Sequence, residues 1–83
     1  MNREDVLLFL KSVLAEETGK PAHDLAESQS FHSLGLDSIS IIVVLDSVEN
    51  KYMINITSLD FWDHPTIGAL ADFITTRPLK KNE

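Results

Sequence analysis

The sequence predicts an all-α fold, an antiparallel four-helix bundle with three main helices and one short helix. Near the N-terminus, apolar residues recur at three- and four-residue steps, and helical spacing returns after residue 66. Between these segments, an apolar pattern continues for about fifteen residues without a turn residue, which is long for a strand. With 83 residues and 43% hydrophobic content, the chain can form one small domain with one core.

The charge is unevenly distributed. The net charge is −6, and three of the seven basic residues (Arg77, Lys80 and Lys81) lie in the last seven positions. Through Thr76 the chain carries four basic and twelve acidic residues. Nucleic acid is not expected as a partner, because neutralising its phosphates requires clustered Lys and Arg. Protein partners with basic docking patches fit this charge, although a purely solubilising role explains it equally well.

The chain has no cysteine, so it has no disulfide, thiolate metal site or thiol nucleophile. This composition fits a reducing cytosol, and we expect a cytoplasmic location. The apolar stretch Val6 to Leu10 is short and follows acidic residues, which is the wrong flank for a signal peptide. No segment approaches a membrane-spanning length, so no membrane partner is expected. His23 and His32 lack partners at metal-ligand spacing, and no metal site is expected.

The first helix is predicted over residues 3–18. Asn2 can cap it, and the side chain of Asp5, three residues later, can accept a hydrogen bond from the Asn2 N–H in return, as in a capping box. Gly19 can adopt a left-handed conformation at the end, and Pro21 prevents continuation. The residues with helical spacing are Val6, Leu7, Leu10, Val13 and Leu14.

Residues 19–36 form a long connection, and such connections in compact domains are functional or tied to the core. One local turn is expected over residues 24–27. Four apolar residues are predicted to tie the connection to the core, namely Leu25, Phe31, Leu34 and Leu36.

The run Ile39-Ser40-Ile41-Ile42-Val43-Val44-Leu45 leaves two interpretations open. Its β-branched content favours a strand. Its continuation to residue 52 without a turn residue favours a helix. Just before it, Asp37 and Ser38 are typical of a helix start, because their side-chain oxygens accept bonds from first-turn N–H groups. Such a start is also a natural place for a phosphate.

Two motifs carry a resemblance. Residues 31–38, Phe31-His32-Ser33-Leu34-Gly35-Leu36-Asp37-Ser38, resemble the modification site of acyl and peptidyl carrier proteins. Residues 64–71, from His64-Pro65-Thr66-Ile67 onward, resemble the start of the last helix in carriers of polyketide and nonribosomal peptide assembly lines. The resemblance covers roughly residues 4–76 and rests on two motifs in the expected order and separation.

With the carrier resemblance, the second helix is assigned to residues 38–52. At roughly 100° per residue, one stripe of side chains then faces the core. Ile39 and Val43 fall nearly opposite this stripe and Ile42 on its flank, so three aliphatics remain near solvent, unless the preceding loop covers them. The core stripe comprises Ile41, Val44, Leu45, Val48 and Tyr52.

Residues 53–56 are predicted as an extended connector, followed by a short helix capped by Thr57 or Ser58. Phe61 and Trp62 are expected to pack in the core or at its rim rather than to bind a ligand. His64-Pro65 ends this helix, and Thr66 caps the last one, in which Gly68 costs roughly 1 kcal/mol relative to alanine. The carrier domain is predicted over residues 1–77, with a disordered tail over residues 78–83.

The residues form no catalytic constellation, so the chain is not predicted to be an enzyme. The resemblance implies a carrier whose cofactor, 4'-phosphopantetheine, is transferred from coenzyme A to Ser38 and holds acyl or aminoacyl groups as thioesters. It also implies that Asp37 helps the transferase to position its metal and substrate. The docking contacts implied by the resemblance are Leu36, Ile39, Ile42 and Val43.

The implied partners are a phosphopantetheinyl transferase, an acyl- or aminoacyl-loading enzyme, and a ketosynthase, condensation or other acyl-transferring enzyme. Fatty-acid carriers commonly have a glutamate where this chain has Val43. This departure favours a polyketide, nonribosomal peptide or related specialised pathway. We expect a monomer. The alternative function is an unmodified acidic helical domain that docks other proteins through the same face.

Overall fold

The computed structural model describes residues 2–76, which form four helices. Within this range the structure has no strand and one isolated antiparallel bridge, between Ser30 and Thr66. None of its helices is long and apolar enough to cross a membrane. The predicted all-α bundle is confirmed, whereas the predicted tail over residues 78–83 lies outside the described residues. The helices are α1 (Arg3–Thr18), α2 (Ser38–Tyr52), α3 (Ser58–Asp63) and α4 (Ile67–Thr76).

Helix α1 begins and ends as the sequence predicts. Asn2 caps it, but its side chain accepts from the Glu4 N–H at 2.7 Å and not from the Asp5 N–H that a capping box would use. Gly19 adopts a left-handed conformation (φ 76°), and its N–H donates to the Ala15 carbonyl at 2.9 Å. The side chains that α1 buries are Val6, Leu7, Leu10 and Leu14, with Val13 partly buried.

Helix α2 forms despite its β-branched composition. Burial of one continuous stripe stabilises the helix and overrides the local preference, since β-propensity depends strongly on context. Tyr52 lies half-buried at the end of the stripe, where its ring meets that of Phe9 edge-on, with 5.6 Å between centroids. The predicted core stripe is therefore confirmed, and its buried members are Ile41, Val44, Leu45 and Val48.

Helix α3 is short and is fixed at its start. The Thr57 hydroxyl accepts from the Asp60 N–H at 3.1 Å, and the Asp60 carboxylate accepts from the Thr57 N–H at 3.0 Å. Just before it, the Glu49 carboxylate accepts from the Ile56 N–H at 2.9 Å, which ties the connector to α2. The reciprocal bonds between Thr57 and Asp60 form a capping box, which satisfies two N–H groups at the helix start and stabilises this six-residue helix.

The long connection between α1 and α2 is attached to the start of α4. The N–H of Phe31 donates to the Pro65 carbonyl at 2.8 Å, and the N–H of Gly68 donates to the Glu27 carbonyl at 2.9 Å. The predicted turn over residues 24–27 is wrong in its position, because the chain forms a 3₁₀ turn at Ala22–Asp24 and a second turn in which the Gln29 N–H donates to the Ala26 carbonyl at 3.0 Å. A further 3₁₀ turn follows at His32–Leu34. The predicted ties are confirmed, with Leu25, Phe31 and Leu34 buried and Leu36 partly buried.

Replacing Leu45 tests the orientation of α2. Leu45 is buried in the core stripe, so Leu45→Ala is expected to lower the free energy of unfolding by about 2–5 kcal/mol. Ile39→Ala is the matched control on the exposed face and is expected to change it by less than about 0.5 kcal/mol. Denaturant unfolding measures both values, and equal effects would contradict the assigned orientation.

Candidate functional site

The start of α2 is shaped by its cap and by the turn that precedes it. Gly35 adopts a left-handed conformation (φ 71°) that ends the 3₁₀ turn and directs the chain toward the helix. Asp37 is extended and caps α2, because its Oδ1 accepts from the Ser40 N–H at 2.8 Å. Ser38 is therefore the first residue of the helix.

Ser38 is exposed at this position. No hydrogen bond to its hydroxyl is found within residues 2–76, so the group can be approached from solvent. The N-terminal end of a helix carries a positive partial charge, which stabilises a nearby anion. An exposed hydroxyl at this end fits a phosphodiester, because the attached phosphate would remain in solvent and face the positive end of α2.

The aliphatic residues on the outer side of α2 are solvent-exposed. The side chains of Ile39, Ile42 and Val43 are 72%, 56% and 37% exposed, respectively. Leu36 lies just before the helix and is partly buried against the core. The predicted phasing of α2 is confirmed, and the loop does not cover these side chains. Their role as docking contacts remains a prediction.

A groove of about 440 Å³ opens beside Ser38 between α2 and α3. Its far side is formed by Ser58 and Trp62 of α3, which the sequence analysis did not assign to the site. Phe61 and Trp62 are adjacent in a helix, so only one can face the core, and the sequence alone does not say which. The groove is lined by Leu36, Ser38, Ile41, Ile42, Leu45, Ser58 and Trp62.

The charged side chains that flank the groove in residues 21–50 and 52–76 are acidic. Neither residues 21–50 nor residues 52–76 contain a lysine or arginine. Asp37 is exposed at the helix start, Asp46 lies one turn beyond Ile42 and Asp63 follows Trp62. Among the described residues, the site thus combines exposed aliphatic and aromatic groups with carboxylates, and no lysine or arginine lines the groove. No cluster of potential metal ligands occurs among the described residues.

The Asp37 carboxyl has a pKa below its usual value. The main cause is the hydrogen bond that it accepts from the Ser40 backbone, helped by the Ser40 side chain. These bonds favour the ionised form. Above its pKa the carboxylate therefore remains ionised, and it both caps α2 and adds negative charge next to Ser38.

The fold and the exposed serine define a small helical domain with an accessible hydroxyl at the start of α2. Residues 9–74 match the family model described as the phosphopantetheine attachment site. The chain belongs to this family, whose domain is a non-catalytic carrier and the site of covalent 4'-phosphopantetheine attachment. Carrier domains are modified by a phosphopantetheinyl transferase and work with synthase enzymes.

Individual proteins support the family assignment. The chain is 38% identical over 60 residues to polyketide synthase 2 of Metarhizium anisopliae, covering 71% of this chain. It is 28% identical over 74 residues to a conidial pigment polyketide synthase of Pestalotiopsis fici, covering 89%. The chain spans only 3% of the length of each synthase.

Among solved structures, the chain is similar to a free-standing peptidyl carrier protein from an uncharacterised secondary metabolic pathway of Acinetobacter baumannii. The two are 27% identical, with a TM-score of 0.84. The match covers 90% of this chain and 94% of that one. The similarity extends over nearly the whole of both chains, and it supports the predicted carrier fold.

The low pKa of Asp37 predicts a pH-dependent helix cap. A depressed carboxyl pKa contributes stability that is complete above the ordinary value of 3.8 and is lost as the pH falls below it. Asp37→Ala is therefore expected to unfold at a lower temperature than the wild type at pH 7, and the difference should shrink below pH 3.8. Asp37→Asn is the control, because it keeps a capping oxygen without a titrating group. Thermal unfolding from pH 7 to pH 3 checks this, and a constant difference would contradict it.

Proposed function

We propose that Ser38 is the attachment residue for 4'-phosphopantetheine and that the chain carries acyl or aminoacyl intermediates on this arm. The observation that carries the proposal is the exposed Ser38 hydroxyl, which lies at the first residue of α2 beside the Asp37 cap. The family supplies the cofactor, and the geometry supports this serine as its position.

In the attachment step, the Ser38 oxygen forms a bond to the phosphorus of coenzyme A that bears pantetheine. The pyrophosphate bond breaks, adenosine 3',5'-bisphosphate leaves, and the hydroxyl proton passes to a base of the transferase or to solvent. The arm supplies a terminal thiol that forms a thioester with the cargo. The chain itself contributes an accessible hydroxyl and, through Asp37, a negative group where the transferase can position its metal and substrate.

Tethering explains why a carrier needs no catalytic residues of its own. A group linked to Ser38 is presented to each bound enzyme at a high local concentration, which replaces a second binding event. The protein must then offer only an exposed attachment point and a face that partners can recognise. Both requirements are met by the outer side of α2.

The docking face proposed for partners comprises Leu36, Ile39, Ile42 and Val43. Exposed apolar side chains with an acidic surround fit an enzyme surface that has an apolar patch and basic residues at its edge. We assign as partners a phosphopantetheinyl transferase, a loading enzyme, and a ketosynthase, condensation or other acyl-transferring enzyme. The aliphatic Val43 favours partners that dock through apolar contact.

We further propose a polyketide, nonribosomal peptide or related specialised pathway in the cytoplasm, with the carrier domain over residues 1–77. The polyketide synthases and the peptidyl carrier protein to which the chain is similar support this class of pathway. The absence of cysteine agrees with a reducing compartment.

The attachment residue is tested by intact mass after incubation with coenzyme A and a promiscuous transferase. The wild type is expected to gain one phosphopantetheinyl group, whereas Ser38→Ala should fold and gain none. Ser58→Ala is the matched control, because Ser58 is the other serine in the same groove, and at the end point this variant should still gain one phosphopantetheinyl group. Mass gain in Ser38→Ala would contradict the assignment, and none in the wild type would favour the unmodified interaction domain.

Val43→Glu tests the docking face. Val43 lies away from the core, so stability should change by no more than about 0.5 kcal/mol. Loss of an apolar contact at a desolvated interface should reduce the efficiency of transfer to a downstream acyl-transferring enzyme by about 1–2 kcal/mol. Loading by the transferase should suffer less, because that step depends on the surface around Asp37 and Ser38, and Val43 does not line the groove beside Ser38.

Asn50→Glu is the matched control for Val43→Glu. Asn50 is exposed on the same side of α2, two turns farther from Ser38, and receives the same added charge. Thermal unfolding and cargo transfer are measured for both variants. Strong destabilisation by Val43→Glu would place Val43 in the core, and equal transfer by the two variants would remove it from the docking face.

A further inference from the structure

Helix α3 exposes two large apolar side chains, Leu59 and Trp62, which are 69% and 51% exposed. They lie three residues apart and therefore share one side of the helix, while Phe61 between them is fully buried. Tryptophan is highly buried on average in folded proteins, so a half-exposed tryptophan next to a groove points to a binding surface. Such residues are enriched among the anchors of protein interfaces.

Trp62 is held in place by aromatic contacts. Its ring meets Phe61 edge-on, with 5.3 Å between centroids, and Phe61 stacks on Phe31 at 4.3 Å. The Thr57–Asp60 capping box fixes the start of the same helix. A side chain that is already ordered loses little entropy when a partner binds, which favours a role as an anchor.

Trp62 and Ser38 line the same groove, although they lie far apart in sequence. An enzyme that modifies the Ser38 oxygen must bring coenzyme A to it and must cover the surface immediately around it. Trp62 lies within that surface, whereas Val43 does not line the groove. The exposed carboxylate of Asp63 follows Trp62, and residues 52–76 contain no lysine or arginine.

We propose that the exposed side of α3 is part of the docking surface for the phosphopantetheinyl transferase and that Trp62 is its anchor. The fitting surface on the transferase is an apolar pocket with lysine or arginine at its edge, because the groove is apolar and its surround is acidic. The inference rests on the proposed attachment at Ser38 and extends the recognition surface from α2 to a helix that the sequence analysis did not assign.

Because Trp62 is the only tryptophan of the chain, fluorotryptophan gives a direct binding probe. Carrier labelled in this way shows one tryptophan fluorine resonance, which is followed as unlabelled promiscuous transferase is added without coenzyme A. The resonance is expected to shift or broaden in proportion to the bound fraction. An unchanged resonance at transferase concentrations above the KM for the carrier would overturn the inference.

Loading kinetics supply the second measurement. Trp62→Ala is expected to lower kcat/KM by about tenfold, chiefly through KM, as expected for an interface anchor. Trp62→Phe should recover part of the loss, since it keeps an aromatic ring. Leu59→Ala should give a smaller loss in the same direction, and it tests the surface without altering the contact with Phe61. Leu8→Ala is the control for Leu59→Ala, because it removes the same type of side chain, 58% exposed, from α1. This variant should leave kcat/KM unchanged.

The two proposals fail in different ways. If the wild type gains no mass, the Ser38 assignment is wrong and this inference fails with it. If the wild type is loaded normally while Trp62→Ala and Leu59→Ala match Leu8→Ala in kcat/KM, the inference about α3 is wrong and Ser38 remains the attachment residue. A fall in kcat that is larger than the rise in KM would also overturn the anchor role, because docking through α3 acts on binding.

Discussion

Phe31 is fully buried between the long connection and α3, where its ring stacks on that of Phe61 with 4.3 Å between centroids. Its N–H also donates to the Pro65 carbonyl, so one residue attaches the connection to α3 and to the segment before α4. Such an aromatic pair contributes about 0.5–1.5 kcal/mol beyond the burial of the two rings. The position of Ser38 and the orientation of α3 both depend on this contact, because it joins α3 to the short segment that leads to Ser38, in which Leu34 is also buried.

A second constraint lies where the connection passes over α4. Gly68 costs about 1 kcal/mol in a helix relative to alanine, and the structure explains its presence. A Cβ at this position would lie 3.1 Å from the Glu27 Cβ, while the Glu27 carbonyl accepts from the Gly68 N–H. The Glu27 carboxylate pairs with Arg3 at 2.7 Å, and Arg3 also pairs with Asp72. These exposed ion pairs contribute little stability, but they join the connection, α1 and α4 at one point.

The helix limits and the two faces of α2 could be predicted because each depends on local periodicity and on capping residues such as Asp37 and Thr57. The helical state of residues 39–45 could not be settled from the residues alone, since β-branched side chains favour a strand until a continuous buried stripe forms. The groove beside Ser38 was missed because it depends on how α3 packs against α2. Adjacent aromatics leave that packing undecided, and the structure settles it by burying Phe61 and exposing Trp62.

On the proposed docking role of its exposed side, the two faces of α2 separate stability from recognition. Val44 and Val48 are fully buried, so the helix is held by residues that no partner can contact. Ile39 and Ile42 are mostly exposed, so substitutions there cost little stability and could alter partner binding without unfolding the domain. For the proposed docking face, a small apolar area would limit the affinity of each encounter, while the surrounding carboxylates would raise the rate at which a basic partner associates. A surface of this composition therefore favours rapid binding and rapid release, which is the behaviour that the proposed transfer of cargo between enzymes requires.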